Sequence, residues 1–543
     1  MATVVMNMSR RVPSTRRTAV LGLAVLLAAS CAGARRPRNV LLITLDTLRA
    51  DHVSAYPGAK AATPFLDGLA KRGTLFENAW SLVPITLPSH ASIFYSQYPH
   101  DIKNYNNGQV IQAKRSRPSL VNAFRKEGFA TAAFVSLGVL TPFFNLAEGF
   151  NEYKAEFPAG RWYLHAEEVN RDVLPWLERH RSERFFLWVH YSDPHDPYAT
   201  PDTPDDLKLA FNGRPLGSYN LSKYITYDVE LDLQPGSNEV VFETSNPYQP
   251  NPTQFMARLD LLTITAADGA DLFWEHTHKW YVRPEDNVHF LMNGAVITVQ
   301  TPKARKAVLT FRGKPLLPLD AVRALYRREV EYMDGRIGEL WRALERLGLA
   351  DETAVVAVSD HGEGLGEYVS DFGDPHVGHI HYLQKIYMHV PLILRVPGRR
   401  GGERRSEPAT LLDVAPTICR VMGFKPFASF AGRDLLSLKP GTEIPVFMET
   451  FRPEAFKNRF ALLRGPWQMI LSPEDGHHDL YDLAADPDAR VNQWEVPDPP
   501  VDRVRDIERD LNDFARTVLK GKVEIAVDSK TEEMLRSLGY IKK

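Results

Sequence analysis

The stretch NVLLITLDTLRADH, residues 39–52, indicates the fold class because it joins an apolar run directly to a carboxylate. Residues 39–45 carry no charge and are mostly Val, Leu and Ile. A run that is apolar on both faces is typical of a strand buried inside a parallel sheet. Asp46 follows at the point where this strand should end. The stretch therefore predicts a buried strand that places a carboxylate at its carboxyl end.

Four further runs of this kind occur along the chain, and amphipathic helices separate them. The runs are TAAFVS (131–136), FFLWVH (185–190), AVVAVS (354–359) and VPLILRV (390–396). Apolar side chains recur at helical spacing in residues 63–73 and again in residues 322–347. This alternation of buried strands and helices predicts an α/β fold with a doubly wound, mostly parallel sheet.

Residues 205–315 have a different pattern, in which polar and apolar side chains alternate between turns rich in Pro, Gly and Asn. The pattern predicts an inserted antiparallel β-sandwich, which we expect to pack against the α/β domain or to shape the substrate site. The α/β domain should then occupy two segments, 38–204 and 316–440. Residues 441–543 should form a small C-terminal α+β subdomain with a short antiparallel sheet and a polar tail.

The first 31 residues have the order of an export signal. Four arginines precede the apolar run AVLGLAVLLAA (19–29), which is short for a membrane span, and Cys31 follows after one serine. Small residues before a cysteine are typical of a lipoprotein signal, in which Cys31 is acylated and becomes the mature N-terminus. We therefore expect an exported protein of the periplasm or cell envelope. A lipid on Cys31 is the only membrane contact that we expect.

The composition argues against a nucleic-acid partner. The 543-residue chain has a net charge of −2, and 24% of its residues are charged. No basic stripe with interleaved aromatic residues occurs in it. Such a chain lacks the electrostatic footprint of a nucleic-acid-binding protein.

Polar residues follow several of the apolar runs. Asp46 comes after the first run, His195 follows FFLWVH, and Asp360 and His361 follow AVVAVS, while the loop GDPHVGHIH (373–381) precedes VPLILRV. In doubly wound sheets the ligand lies beyond the carboxyl ends of the strands. Two carboxylates with several histidines make the mixed oxygen and nitrogen ligand set of zinc, manganese or iron. The sequence therefore predicts a metal site at this edge.

Seven segments give a more specific signal when they are taken in chain order. They are ITLDTLRADHVSAYPG (43–58), TPFLDGLAKRGTLFENAWS (63–81), TLPSHASIFYSQYPH (86–100), DPHDPY (193–198), SDHGEGLGEY (359–368), the GH (378–379) that precedes VPLILRVPG (390–398), and LYDLAADP (480–487). In this order they resemble the blocks of the sulfatase family within the alkaline phosphatase superfamily. The resemblance covers residues 38–200 and 320–490, and several ordered blocks are a strong signal.

The resemblance implies a set of site residues and a divalent metal. The set comprises the metal ligands Asp46, Asp360, His361 and the Thr86 hydroxyl, the catalytic residues Thr86, His195 and His379, and the substrate contacts Asn107 and His90. Thr86 stands in the family's nucleophile position, at the start of a helix whose N–H groups and dipole favour a bound anion. His195 and His379 fall where relatives contact the ester oxygens or the leaving group, and either is a candidate general acid.

The nucleophile element departs from the family pattern. Sulfatases carry Cys or Ser in a C/S-x-P-x-R element that is oxidised to formylglycine, whereas this chain has Thr86-Leu87-Pro88-Ser89-His90. Threonine cannot yield the aldehyde hydrate, because its β-carbon carries a methyl group. His90 stands where the family has arginine. We therefore expect no formylglycine in this protein.

The metal ligands depart in the same direction. Calcium-dependent members have an Asp-Asp pair after the first strand and Asp-Asn later, whereas this chain has Asp46-Thr47 and Asp360-His361. An imidazole is a poor ligand for calcium and a good one for zinc or manganese. The pattern therefore favours zinc or manganese over calcium.

Three functions are compatible with these residues. The first is a metal-dependent hydrolase of phosphate-type esters (monoester, diester or phosphonate), and the second is a sulfuric ester hydrolase that works without formylglycine. The third is an inactive envelope protein that binds a glycan through the insert, and the complete set of predicted metal ligands argues against it. The expected substrate is a small-molecule ester or one linked to a glycan or lipid.

Overall fold

A computed structural model describes residues 36–521, apart from 113–116, 159–160, 245–253, 285, 371–372, 374 and 453–456. The predicted export signal with Cys31, and the polar tail beyond residue 521, lie outside the described residues. Within the described part, no helix combines the length and the apolar character that are needed to cross a bilayer.

The elements follow one another in four groups along the chain. The first contains β1 (Asn39–Leu45), α1 (Pro64–Arg72), β2 (Thr74–Phe76), β3 (Ala79–Trp80), α2 (Thr86–Tyr95), α3 (Pro99–Ile102), α4 (Leu120–Lys126), β4 (Ala130–Phe134), β5 (Glu152–Lys154), α5 (Ala166–Arg179) and β6 (Phe185–Tyr191). The second contains β7 (Leu207–Phe211), β8 (Arg214–Tyr219), β9 (Tyr227–Leu233), β10 (Gly236–Thr244), β11 (Phe255–Ala266), β12 (Trp274–Arg283), β13 (Val288–Thr301) and β14 (Arg305–Pro315). The third contains α6 (Leu319–Arg346), β15 (Thr353–Ser359), β16 (Gly364–Val369), β17 (Pro375–Gly378), α7 (Lys385–Met388), β18 (Leu392–Arg395), β19 (Glu403–Arg405), β20 (Ala409–Thr410) and α8 (Val414–Met422). The fourth contains β21 (Val446–Arg452), β22 (Lys457–Arg464), β23 (Trp467–Ser472), β24 (His477–Asp482) and α9 (Val501–Gly521).

Eight strands form the central sheet, in the order β19-β2-β18-β15-β1-β6-β4-β5. Strand β1 lies in the middle and pairs in parallel with both β15 and β6. All seven of its residues are buried, because apolar cores cover both faces of the sheet. The doubly wound, mostly parallel sheet that the sequence predicts is confirmed.

The direction of strand β18 brings an additional loop to the edge of the sheet where the parallel strands end. Strand β18 runs antiparallel to β15, so the chain enters β18 at the edge where β1, β6 and β15 end. The loop that carries His379 comes before β18 in the chain. It therefore lies at the same edge as Asp46 and Asp360.

The insert, β7 to β14, is antiparallel throughout. Its strands form one continuous sheet in the order β8-β7-β10-β13-β11-β14-β9, with β12 paired to β13. Strands β8 and β9 are the two edges of this sheet, yet the rings of Tyr219 on β8 and Tyr227 on β9 lie only 5.1 Å apart. The two edges therefore meet, and the sheet folds over on itself. The predicted sandwich is therefore two layers of one sheet, with an apolar core between them.

The C-terminal part contains the four-stranded antiparallel sheet β21-β22-β23-β24. Helix α9 packs on it, and a core that includes Phe460, Met469 and Leu511 lies between helix and sheet. Cys419 on α8 is fully buried and forms no disulfide among the described residues. A buried cysteine of this kind acts as a small apolar core residue.

Helix α1 begins against the long helix α6. Its N-cap residue, Thr63, makes no side-chain capping bond. Instead, the buried carboxylate of Asp334 on α6 accepts hydrogen bonds from the N–H groups of Phe65 and Leu66, each at 2.9 Å. These first-turn N–H groups have no partner within their own helix. Asp334 therefore caps α1 from another element.

Asp334→Ala should lower the free energy of unfolding by about 1–2 kcal/mol, because it removes both capping bonds. Urea unfolding followed by circular dichroism measures this change. Glu339→Ala is the control, since Glu339 forms only a surface ion pair with Arg336 on the same helix. A loss of stability in Asp334→Ala no larger than in the control would contradict the capping role.

Candidate active site

Three side chains from two neighbouring strands form a cluster at the carboxyl edge of the sheet. Asp46 follows β1, and Asp360 and His361 follow β15, its parallel neighbour. Their ligand atoms lie within 4.8 Å of one another, and all three side chains are fully buried. The fold thus brings together the three protein ligands that the resemblance implies beside Thr86.

Asp46 is held by a histidine from the adjacent strand. His190, on β6, accepts the N–H of Ser136 at its Nδ1 (3.3 Å), so its Nε2–H donates to Asp46 Oδ2 at 3.2 Å. The other carboxylate oxygen, Oδ1, is buried without a hydrogen-bond partner. A buried oxygen of this kind requires an explanation, and a bound cation supplies one.

Asp360 and His361 are arranged in a similar way. Asp360 Oδ1 accepts from the N–H of Thr47 at 3.1 Å and from that of His361 at 2.8 Å, while its Oδ2 has no hydrogen-bond partner. The Nδ1–H of His361 donates to the carbonyl of Gly362 at 3.0 Å. This bond leaves the Nε2 lone pair, 3.5 Å from Asp360 Oδ2, as the metal-binding atom.

The electrostatics of the cluster fit a divalent cation. Burial raises the pKa of Asp360 well above its ordinary value, and the charge of Asp46 raises it further. Burial also acts to raise the pKa of Asp46, but the hydrogen bond from His190 and the surrounding imidazoles hold this pKa below its ordinary value. Burial lowers the pKa of His361, so that the ring is neutral and suited to ligation. Two buried carboxylates with a neutral imidazole are a good donor set for zinc or manganese.

The residue that follows Asp46 has a strained backbone. Thr47 has a φ of 57°, which a β-branched residue rarely adopts. Its N–H donates to Asp360, and its carbonyl accepts from the hydroxyl of Tyr326 at 2.7 Å. These two bonds hold the conformation and tie the end of β1 to both β15 and α6. Backbone strain of this kind is concentrated at functional sites.

Thr86 is the first residue of α2 and is fully buried. Its Oγ1 lies 3.4 Å from His361 Nε2, beside the cluster. The N-cap residue, Ile85, makes no side-chain capping bond, so the positive end of the helix faces the site. The structure therefore brings the predicted nucleophile to the predicted ligands.

His90 lies one turn further along α2. Its Nδ1–H donates to the carbonyl of Thr86 at 2.8 Å, and its Nε2 accepts from the Thr44 hydroxyl at 3.0 Å, while Thr44 Oγ1 accepts from Trp188. Burial lowers the pKa of His90 to about 3. Both ring nitrogens thus bind protein groups, and this arrangement gives His90 a positioning role at Thr86. The predicted substrate contact of His90 gains no support from this geometry.

Asn107 lies beside the start of the same helix. Its Oδ1 accepts from the N–H of Leu87 at 2.9 Å, whereas its Nδ2 is buried without a hydrogen-bond partner. A donor of this kind can bind an ester oxygen. The predicted substrate contact through Asn107 is therefore compatible with the geometry.

His195 and His379 lie together on one side of the cluster. Their rings are 5.0 Å apart, and the ring of His379 is 4.5 Å from that of His361. His195 Nδ1–H donates to the carbonyl of Asp196 at 2.5 Å. His379 Nδ1 lies 3.3 Å from the buried carboxylate of Glu363, and burial lowers the pKa of His379 to about 4. The contact with Glu363 orients the ring of His379.

Two residues at the site are missed by the sequence analysis. His190, the partner of Asp46, lies inside the apolar run FFLWVH, where only its place at the strand end signals it. Lys314, at the end of the insert, forms an ion pair with Asp196 in the loop that carries His195. No local pattern indicates this contact, because the two residues are separated by 118 positions.

Comparison with known proteins gives the family directly. The family model described as Sulfatase matches residues 38–424. A choline-sulfatase from Rhizobium meliloti is 24% identical over 489 residues, which are 86% of this chain and 84% of the relative. The match over more than half of the chain confirms the resemblance that the ordered blocks indicate.

Solved structures share the fold. A phosphonate monoester hydrolase from Agrobacterium radiobacter superposes with a TM-score of 0.55 at 18% identity, covering 90% of this chain and 95% of that one. A protein solved with its substrate D-glucosamine-2-N,6-O-disulfate superposes with a TM-score of 0.56 at 15% identity, covering 91% and 100%. The chain belongs to the sulfatase family and is an ester hydrolase.

Proposed function

We propose that this protein hydrolyses phosphate-type esters (monoesters, diesters or phosphonates) with Thr86 as the metal-activated nucleophile. The observation that carries the proposal is the 3.4 Å approach of Thr86 Oγ1 to His361 Nε2, beside two carboxylates with unpartnered oxygens. A hydroxyl at this place completes the oxygen and nitrogen donor set. Formylglycine forms from Cys or Ser, whereas this chain has Thr86 at that position.

A divalent cation held by Asp46, Asp360 and His361 would favour the alkoxide form of a coordinated hydroxyl and neutralise the non-bridging oxygens of an anionic ester. The residues of the chain supply the remaining functions. Helix α2 directs its positive end at the ester. The buried Nδ2 of Asn107 donates a hydrogen bond to a second ester oxygen. Together these groups hold the phosphorus atom in line with Thr86 Oγ1.

The reaction then has two steps. The Thr86 hydroxyl loses its proton to solvent, and its Oγ1 forms a bond to phosphorus while the bond to the leaving-group oxygen breaks, which gives a phosphothreonine and an alkoxide. His195 gives a proton to that alkoxide, because the lowered pKa of His379 keeps the His379 ring neutral. A water molecule next attacks phosphorus from the opposite side and passes a proton to His195, while the bond between Thr86 Oγ1 and phosphorus breaks and phosphate, a phosphate monoester or phosphonate departs.

The donor set supports zinc or manganese rather than calcium. Calcium takes six to eight oxygen ligands, whereas this cluster offers two carboxylates, one hydroxyl and one imidazole. Zinc is commonly bound by four ligands that combine nitrogen and oxygen atoms, and manganese binds carboxylates together with imidazole. The fully buried Nε2 of His361 is the atom on which this preference depends.

A second candidate function is the hydrolysis of sulfuric esters without formylglycine, which the name of the choline-sulfatase relative favours. In that case Thr86 would attack sulfur directly. The same residues would serve both reactions, so the two candidates differ in the ester and not in the site. A catalytically silent glycan-binding role is less well supported, because every predicted metal ligand is present and the fold gathers them.

Thr86→Ala should lower kcat by about 10³-fold or more, because the nucleophilic oxygen is removed. Thr86→Ser is the matched control and should keep most of the activity, since it retains the hydroxyl. Initial rates of metal-loaded protein on an aryl phosphate, a phosphodiester, a phosphonate and an aryl sulfate measure both effects. Full activity in Thr86→Ala, or turnover of none of the four esters by the unchanged protein, would contradict the proposal. Fastest turnover of the aryl phosphate, the phosphodiester or the phosphonate would favour the first candidate function, and fastest turnover of the aryl sulfate would favour the second.

Asp360→Ala should weaken the binding of zinc and manganese strongly. Loss of a residue that only hydrogen-bonds a metal ligand costs roughly 10–100-fold in metal affinity, and loss of the ligand itself should cost more. Isothermal titration calorimetry of chelator-treated protein measures this. Asp351→Ala is the control, because Asp351 lies just before β15 with its side chain 96% exposed. Unchanged affinity in Asp360→Ala, or tighter binding of calcium than of zinc and manganese by the unchanged protein, would exclude the predicted site.

A further inference from the structure

The segment that carries Asn107 follows helix α2 and returns to the start of that helix. Asn107 Oδ1 accepts from the N–H of Leu87 at 2.9 Å, and its buried Nδ2 has no hydrogen-bond partner. Within the segment, Gln109 Oε1 accepts from the N–H of Tyr105 at 2.7 Å, and Asn104 Nδ2 donates to the carbonyl of Gln109 at 2.8 Å. These bonds close the segment into a compact loop, so a contact that holds Tyr105 also holds Asn107.

A buried carboxylate from the C-terminal sheet binds the chain just before this loop. Glu449 on β21 is fully buried. Its Oε1 accepts from the backbone N–H of His100 at 2.8 Å, and its Oε2 accepts from the Nδ1–H of the same residue at 2.7 Å. Burial acts to lower the pKa of His100, but the hydrogen bond and the charge of Glu449 raise this pKa above its ordinary value. Hydrogen bonds to an ionised carboxylate are among the strong ones, so His100 is held firmly.

The backbone of the same residue reaches the other side of helix α2. The N–H of Glu449 donates to the carbonyl of Leu82, in the loop that leads to Thr86, at 2.9 Å. Glu449 therefore contacts the chain both before and after the helix that begins at Thr86.

Aromatic contacts extend this junction. Phe451 lies two residues beyond Glu449 on β21, and its ring meets that of Tyr105 edge to face with the centres 4.7 Å apart. The ring of His100 also lies 5.6 Å from that of Phe514 on α9. Alternate residues of a strand point to the same face of its sheet. One face of β21 therefore contacts the Asn107 segment at two points, His100 and Tyr105.

We propose that Glu449 is a positioning residue of the ester site, which acts through His100 to hold Asn107 beside the start of helix α2. The inference rests on the proposed function, because Asn107 is the group that binds an ester oxygen in that site. The C-terminal sheet thereby contributes to substrate binding, although none of its residues is among the site residues that the sequence predicts.

Glu449→Ala should weaken the binding of inorganic phosphate about tenfold, because a displaced Asn107 loses its hydrogen bond to the charged ligand. Glu449→Gln should keep most of the affinity, since its amide can still accept from the N–H of His100 and can donate to Nδ1 of a neutral ring. Glu443→Ala is the matched control, because Glu443 is exposed just before β21. Thermal melting confirms that the variants are folded. If Glu449→Ala does not fold, His100→Ala takes its place, because it removes the ring half of the same contact.

A double-mutant cycle tests whether Glu449 acts through Asn107. Isothermal titration calorimetry of the zinc-loaded full chain measures the dissociation constants of phosphate and of sulfate for the unchanged protein, Asn107→Ala, Glu449→Ala and the double variant. We expect each single variant to weaken the binding of the tighter anion about tenfold. The double variant should bind this anion no more weakly than Asn107→Ala does. A loss of stability alone would lower the melting temperature but would not make the two losses overlap in this way.

Three results would overturn the proposal. They are losses of affinity that multiply in the double variant, a loss in Glu449→Ala no larger than in Glu443→Ala, and binding of neither anion by the unchanged protein. Because anion binding needs no turnover, the expected coupling in a protein that hydrolyses none of the four esters would contradict the proposed reaction and not the role of Glu449.

Discussion

Two buried carboxylates at one edge of the central sheet govern how the site is organised. Asp46 and Asp360 end parallel neighbouring strands and have oxygens without hydrogen-bond partners. Such a pair is unfavourable unless a positive charge lies between them. With the neutral imidazole of His361 they form a group that could hold a metal ion, and we propose that the hydroxyl of Thr86 completes a donor set for a transition metal. The site is therefore best understood as a cation-binding cluster whose protein ligands the fold holds in advance.

The surrounding elements each serve this cluster. His190 on β6 fixes one carboxylate, and the strained backbone at Thr47 fixes the other. Helix α2 begins at Thr86 and brings its positive end to the same place. The reversed strand β18 returns the chain so that His379 joins the site, and the insert reaches the loop of His195 through Lys314. These separate segments thus meet at one sheet edge.

The sequence predicts the strands well and places the candidate metal ligands at one edge of the sheet, for a physical reason. Runs that are apolar on both faces specify buried parallel strands. The polar residue after each run must then lie at the edge of the sheet where the parallel strands end. Cross-strand partners are different, because the spacing along the chain does not show which residues pair. His190 is an example, since it meets Asp46 only through the alignment of β6 with β1. For His90 the sequence predicts a substrate contact, which stays a prediction, whereas in the structure its ring nitrogens bind the Thr86 carbonyl and the Thr44 hydroxyl. Lys314 reaches Asp196 across 118 positions, which no local pattern can show.

In the proposed mechanism Thr86 forms a covalent bond to phosphorus. Rapid acid quenching during turnover of an aryl phosphate, followed by peptide mapping in a mass spectrometer, detects this bond. We expect a phosphoryl group on the peptide that contains Thr86, at a level that rises before the steady state and is absent from Thr86→Ala. An active enzyme that carries no such adduct, or that carries it on another residue, would rule out Thr86 as the nucleophile.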